Sequence, residues 1–175
     1  MSSKPSIFLV GPMGAGKTTI GRQLAQTLGR PFHDSDREIE QRTGVDIPTI
    51  FEYEGEEGFR QREAAMIDEL TRLPGIVLAT GGGSVLRPEN RKALASRGLV
   101  VYLKTPVAVQ LARTAHDRNR PLLQTDDPEA RLRALFEQRD PLYREVADLI
   151  LDTGRLSIRQ IIRQIEQRLN VGLDT

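Results

Sequence analysis

The chain has 175 residues, 38% hydrophobic and 28% charged, with 25 Lys and Arg against 24 Asp and Glu for a net charge of +1. That length suits one globular domain, 1–175, with a substantial core, and so even a charge balance excludes non-specific nucleic-acid binding, which needs a basic face. Without cysteine there is no disulfide framework or thiol chemistry, and the lead Met1-Ser2-Ser3-Lys4-Pro5 runs into an apolar stretch too short for a signal-peptide core or a membrane span, so a cytoplasmic protein is expected.

The apolar run Ile7-Phe8-Leu9-Val10 predicts a first strand. It leads into Gly11-Pro12-Met13-Gly14-Ala15-Gly16-Lys17-Thr18, a G-x-x-x-x-G-K-T pattern, and then into a helix over 16–28 with Ile20, Leu24 and Leu28 on one face and Gly29 past its end. A strand at Pro31-Phe32-His33 ends at Asp34; short helices follow over 36–42 and 47–53, and a longer one over 58–73. Ile76-Val77-Leu78-Ala79 and Leu99-Val100-Val101-Tyr102-Leu103 are continuous apolar strands, the pattern of a sheet covered on both faces. Helices are predicted over 87–96, 106–114, 128–137 and 141–146, then a last strand Leu149-Ile150-Leu151. A final helix is capped by Ser157 with Gln160 in a capping box, and carries Ile158, Ile161, Ile162, Ile165 and Leu169 on its apolar face. Five strands alternating with helices imply an α/β fold: a five-stranded parallel sheet with helices on both faces and right-handed crossovers. Ligands in such folds lie beyond the carboxyl ends of the strands, so the ends at Gly11, Asp34 and Gly81 should meet at one crevice.

The glycine-rich loop is a phosphate cradle. Its glycines let successive N–H groups of Gly14, Ala15, Gly16, Lys17, Thr18 and Thr19 face one anion, and the following helix adds its positive end. Lys17 is placed to reach the β- and γ-phosphates of a nucleoside triphosphate, and Thr18 to hold Mg²⁺. Asp34 and Asp36 follow the second strand: one can cap the next helix, and the pair can also supply a carboxylate to Mg²⁺ and one to an acceptor hydroxyl. Thr80-Gly81-Gly82-Gly83-Ser84 ends the third strand; three successive glycines point to a close approach of backbone to a ligand. The polar stretch before Arg120 reads as a lid, about 115–127, carrying a cation to the transferring phosphoryl group. His33 and His116 have no metal-ligand spacing, and nothing resembling N-K-x-D points to guanine.

Taken together, Gly11–Thr18, Asp34-Ser35-Asp36, Gly55-Glu56-Glu57-Gly58-Phe59-Arg60, Thr80–Gly83, Arg120-Pro121-Leu122-Leu123 and Arg139-Asp140-Pro141-Leu142-Tyr143 resemble the shikimate kinase family, over nearly the whole chain. The resemblance implies a phosphate-loop kinase related in fold to nucleoside monophosphate kinases, which transfers the γ-phosphoryl of ATP to the 3-hydroxyl of shikimate on the way to chorismate and the aromatic amino acids. It implies a substrate region at about 34–62, with Arg60 and Arg139 on the shikimate carboxylate. Asp36 would then contact the ring hydroxyls, Gly81, Gly82 and Gly83 would lie against the ring, and Arg120 would touch the phosphates. Lys17, Asp36 and Arg120 are the catalytic candidates and Thr18 and Asp34 the metal candidates; Arg113 would pack on adenine, with Arg155 beside it. Two alternatives are a kinase of another small metabolite such as gluconate and a nucleotide-binding module without catalysis. No apolar stripe demands a partner chain, so a monomer without nucleic-acid or membrane partners is expected.

Overall fold

A computed structural model describes residues 4–115 and 125–173. Among the described residues five strands form one parallel sheet: β1 (Ser6–Val10), β2 (Phe32–Asp34), β3 (Val77–Ala79), β4 (Gly98–Lys104) and β5 (Leu149–Asp152), in the order β2-β3-β1-β4-β5. The apolar strands are apolar throughout because both faces are covered. Phe8, Val10, Leu78, Val100 and Tyr102 point to one side, and Ile7, Leu9, Val77, Val101 and Leu103 to the other, as the twofold alternation of a strand requires. The first set packs on α2 (Ser35–Thr43), α3 (Ile47–Leu70), α4 (Pro88–Arg97) and α6 (Pro128–Val146); the second packs on α1 (Lys17–Leu28) and α7 (Ile158–Leu173). The eight-residue α5 (Val107–Thr114) follows β4. At the α7 start, Ser157 Oγ accepts from the Gln160 N–H at 3.2 Å and the Gln160 side chain accepts from the Ser157 N–H at 2.8 Å, the expected capping box.

Two helical boundaries differ from the sequence reading. The helices read at 128–137 and 141–146 are one continuous helix, α6, with Pro141 inside it. A proline there removes one helical hydrogen bond, a cost of ~3 kcal/mol or more in an isolated helix. Buried Arg139, Tyr143 and Val146 on one face hold this one together on both sides of the proline. The helices read at 47–53 and 58–73 run together as α3, broken locally at Gly55 (φ 73°, ψ 179°), and α3 ends at Leu70 rather than Leu73. There the Thr71 hydroxyl turns back onto the Ile67 carbonyl at 2.7 Å.

The sheet order fixes where the site must be. β2, β3 and β1 are neighbours, so Asp34, Thr80 and Gly11 emerge side by side at the carboxyl edge. The Thr80 hydroxyl donates to the Leu9 carbonyl at 2.9 Å and accepts from Ser84 at 3.0 Å, pinning the start of the glycine run to β1.

Candidate active site

The three strand ends do meet in one cleft, lined by Gly14, Lys17, Thr18 and Thr19 from the loop and by Asp34, Asp36, Gly81, Gly82 and Arg113 around it. On the loop side the backbone carries the geometry. Gly14 and Gly16 hold φ of 79° and 85°, left-handed values that a side chain disfavours. Gly16 is the N-cap of α1 and offers no side-chain cap, so the first N–H groups of that helix are left to an incoming anion. Ala15 is 1% exposed and contributes only its backbone. Lys17 Nζ donates to the carbonyls of Gly11 (2.6 Å) and Pro12 (2.7 Å), which folds its ammonium back over the loop.

Asp34 caps the next helix with one oxygen and turns the other to the phosphate loop. Its Oδ1 caps α2 by accepting from the N–H groups of Asp36 (3.0 Å) and Arg37 (3.3 Å), while its Oδ2 accepts from the Thr18 hydroxyl at 2.7 Å. Two side-chain oxygens able to ligate a cation are thereby set beside the phosphate loop. Among the described residues no cluster of three or more His, Cys, Asp or Glu could hold a metal alone. That is the donor set Mg²⁺ favours, since it takes one or two protein oxygens and completes its shell with water and phosphate.

The far side of the cleft is built from side chains. The glycine run is not left-handed at Gly81, Gly82 or Gly83. These residues are small because charged groups press on them. A Cβ on Gly83 would stand 2.3 Å from Arg60 Nη1, one on Gly81 would stand 2.8 Å from Asp36 Oδ1 and 3.0 Å from Glu63 Oε2, and one on Gly82 would stand 3.4 Å from Arg139 Nη1. Asp36, Arg60 and Arg139, far apart in sequence, therefore converge on this one loop. Arg60 (7% exposed, α3) and Arg139 (4% exposed, α6) are both buried. Arg60 pairs with Glu63, itself 1% exposed, at 2.9 Å and reaches Glu56 at 3.4 Å.

Arg60 is ion-paired to Glu63 and Glu56, whereas no described acid is paired with the Arg139 guanidinium. Burial lowers the pKa of Arg139, with the Tyr143 hydroxyl acting against that and Arg60 adding to it. Burial raises the pKa of Glu63, opposed chiefly by Arg60. Nε of both arginines is a buried donor with no hydrogen-bond partner in the structure. Buried donors on charged groups are costly when unpaired, so this pocket is set for an anion with several acceptor atoms.

Of the other sequence candidates, Arg113 Nη1 donates to the Gly14 carbonyl at 2.7 Å, beside the nucleotide loop. Arg155 is not among the residues lining the cleft: its side chain is 88% exposed, with Asp152 4.0 Å away. Arg120, His116 and most of the segment read as a lid lie outside the described residues, while His33 pairs with Glu38 at 3.0 Å as an ordinary structural contact. Sequence reasoning missed Glu63 and Tyr143. Their signal was helical spacing: Glu63 is three residues after Arg60 and Tyr143 four after Arg139, positions that share a helix face.

The family model for shikimate kinase matches residues 13–170. A shikimate kinase from Thioalkalivibrio sulfidiphilus is 65% identical over 167 residues, covering 95% of this chain and 88% of that protein. One from Halorhodospira halophila is 64% identical over 163 residues, covering 93% and 92%. Among solved structures, a shikimate kinase from Acinetobacter baumannii in complex with shikimate superposes with a TM-score of 0.93 at 55% identity, covering 96% of this chain and 94% of that one. With the phosphate loop, the paired aspartates and the two buried arginines gathered at one sheet edge, the chain belongs to the shikimate kinase family.

Proposed function

We propose that this chain transfers the γ-phosphoryl of ATP to the 3-hydroxyl of shikimate, giving shikimate 3-phosphate for chorismate and aromatic amino-acid synthesis, with the following roles for its residues. The N–H groups from Gly14 to Thr19 cradle the phosphates at the start of α1, and Lys17, held over the loop by two carbonyls, meets the β- and γ-phosphates. Thr18 and Asp34, already side by side, would hold Mg²⁺. When bound, Mg²⁺ neutralises charge on the phosphates. Arg60 and Arg139 take the substrate carboxylate, and Gly81 to Gly83 let the ring lie close to the backbone. Asp36 orients the 3-hydroxyl and accepts its proton as the oxygen bonds to phosphorus. Phosphoryl transfer asks little covalent chemistry of the protein beyond such positioning and charge stabilisation.

Arg113 borders the adenine in this reading, with Arg155 beside it. Arg120 is assigned to the transferring group from the sequence alone. The protein acts as a monomeric cytoplasmic enzyme with a substrate region at 34–62, and no described helix is long and apolar enough to cross a membrane.

The observation that carries the reading is the pair of buried guanidinia with unpaired Nε donors at the glycine run. An acceptor lacking a carboxylate, such as a neutral sugar, would offer those donors no anionic partner. A coupled ADP-release assay with MgATP, with and without shikimate, tests it. Strong shikimate-dependent ADP production is expected; slow release indifferent to shikimate would contradict the acceptor assignment.

A further inference from the structure

Tyr143 is 1% exposed, and its hydroxyl donates to the Gly82 carbonyl at 2.5 Å. One helical turn earlier on α6 stands Arg139, whose Nη1 is the atom that a Cβ on Gly82 would meet. The Tyr143 oxygen and the Arg139 guanidinium act on each other directly: burial pushes the Tyr143 hydroxyl up to about 12, and Arg139 is the largest influence against that rise. The hydroxyl that holds the loop thus also lies within electrostatic reach of the arginine.

We propose that Tyr143 is a positioning residue for acceptor binding, tying the Gly82 backbone to the Arg139 guanidinium so that the surface under the substrate ring and the group that reads its carboxylate keep one fixed separation. This rests on the shikimate reading above. The loop needs such a tie. Its glycines are chosen for room rather than for conformation, and residues without a Cβ lose more freedom on ordering than any others. Arg139 needs one too, because its Nε has no partner in the structure.

A neighbouring tyrosine supplies the control. Tyr102 on β4 is fully buried and packs on Tyr143 with ring centroids 4.8 Å apart. Its hydroxyl donates to Asp140 Oδ1 at 2.7 Å, and Asp140 Oδ2 accepts from Arg144 Nε at 2.9 Å. The two hydroxyls sit in one cluster on different tasks: Tyr102 fastens α6 to the sheet, and Tyr143 fastens the loop to α6. Removing either costs a partly buried hydrogen bond, and only that of Tyr143 ends on the glycine run.

The experiment compares wild type, Tyr143→Phe and Tyr102→Phe by melting temperature and by steady-state KM and kcat for both substrates. Both variants are expected to melt a few degrees low, by roughly equal amounts. Tyr143→Phe is expected to raise the KM for shikimate about tenfold with the KM for ATP unchanged within about twofold, and Tyr102→Phe to leave both KM values within about twofold of wild type. Unchanged shikimate KM in Tyr143→Phe overturns the proposal. So does a rise shared equally by Tyr102→Phe, or one matched by the KM for ATP, since either marks general loosening of the core. Where turnover is too weak to fit, the rise in melting temperature caused by shikimate gives the same comparison on folded protein, and a full wild-type response in Tyr143→Phe overturns it. Wild type without shikimate-dependent turnover would instead overturn the underlying reading of the substrate.

Discussion

Glycine does opposite work on the two sides of the cleft. At Gly16 a Cβ would have space, its nearest neighbour being Ile20 Cδ1 at 3.6 Å, but the backbone is left-handed. At Gly83 the backbone is not left-handed, but a Cβ would collide with the Arg60 guanidinium at 2.3 Å. The nucleotide side is shaped by the path of the main chain, and the acceptor side by buried charged side chains that need a flat surface to lie on. The difference teaches why one half of the site follows a fixed local spacing while the other half is assembled from α2, α3 and α6.

The sharpest way to separate the halves is at the reacting hydroxyl. Asp36→Asn should lower kcat by about 10²–10⁴, the usual range for a positioned proton acceptor, while ATP affinity stays within about twofold. Steady-state kinetics with an ATP-binding titration checks this, and unchanged turnover would remove Asp36 from the chemistry. Next in size is Arg139→Ala, expected to raise the KM for shikimate by about 10–100-fold by removing a charged partner from a buried site. A fall in kcat alone would break the carboxylate assignment.

The paired glycine variants test the comparison itself. Gly83→Ala should raise the KM for shikimate about tenfold and spare ATP, and Gly16→Ala should do the reverse, because a left-handed alanine costs ~1–2 kcal/mol. If either variant shifts the other substrate instead, the two halves are not built on different principles. The smallest effect is at the break in α3, where Glu54 before Gly55 accepts from Arg62 at 2.6 and 2.7 Å. That hydrogen bonding lowers the Glu54 pKa below its ordinary 4.5. The stability it gives is therefore present above pH 4.5 and lost as pH falls through its lower value in the fold. Glu54→Gln should flatten the acid limb of melting temperature against pH by about 1–2 °C, as befits an exposed pair. An identical acid limb would mean that the pair contributes nothing.

The alternation of strands and helices was plain in the sequence because parallel strands buried on both faces are apolar without interruption, as in Ile7–Val10. The meeting of Gly11, Asp34 and Gly81 followed from the general rule for such sheets. The use of both Asp34 oxygens was legible only as a choice, since a cap and a carboxylate turned to the loop look alike until Thr18 is seen bonded to one oxygen and α2 to the other. Gly81 to Gly83 stood out, yet half of their reason stayed hidden: the side chains pressing on them come from residues 18 to 57 positions away. Pro141 misled because local propensity marks a helix end, while burial of Arg139 and Tyr143 on either side carries α6 through.

The central claim is that two buried arginines read one carboxylate. It is tested most directly by comparing kcat/KM for shikimate with that for its methyl ester, which keeps the ring and hydroxyls and removes the charge. A loss on the order of a hundredfold for the ester is predicted, since the buried guanidinium donors would lose a charge-assisted acceptor. Near-equal values for acid and ester would contradict the claim and assign Arg60 and Arg139 to holding the fold.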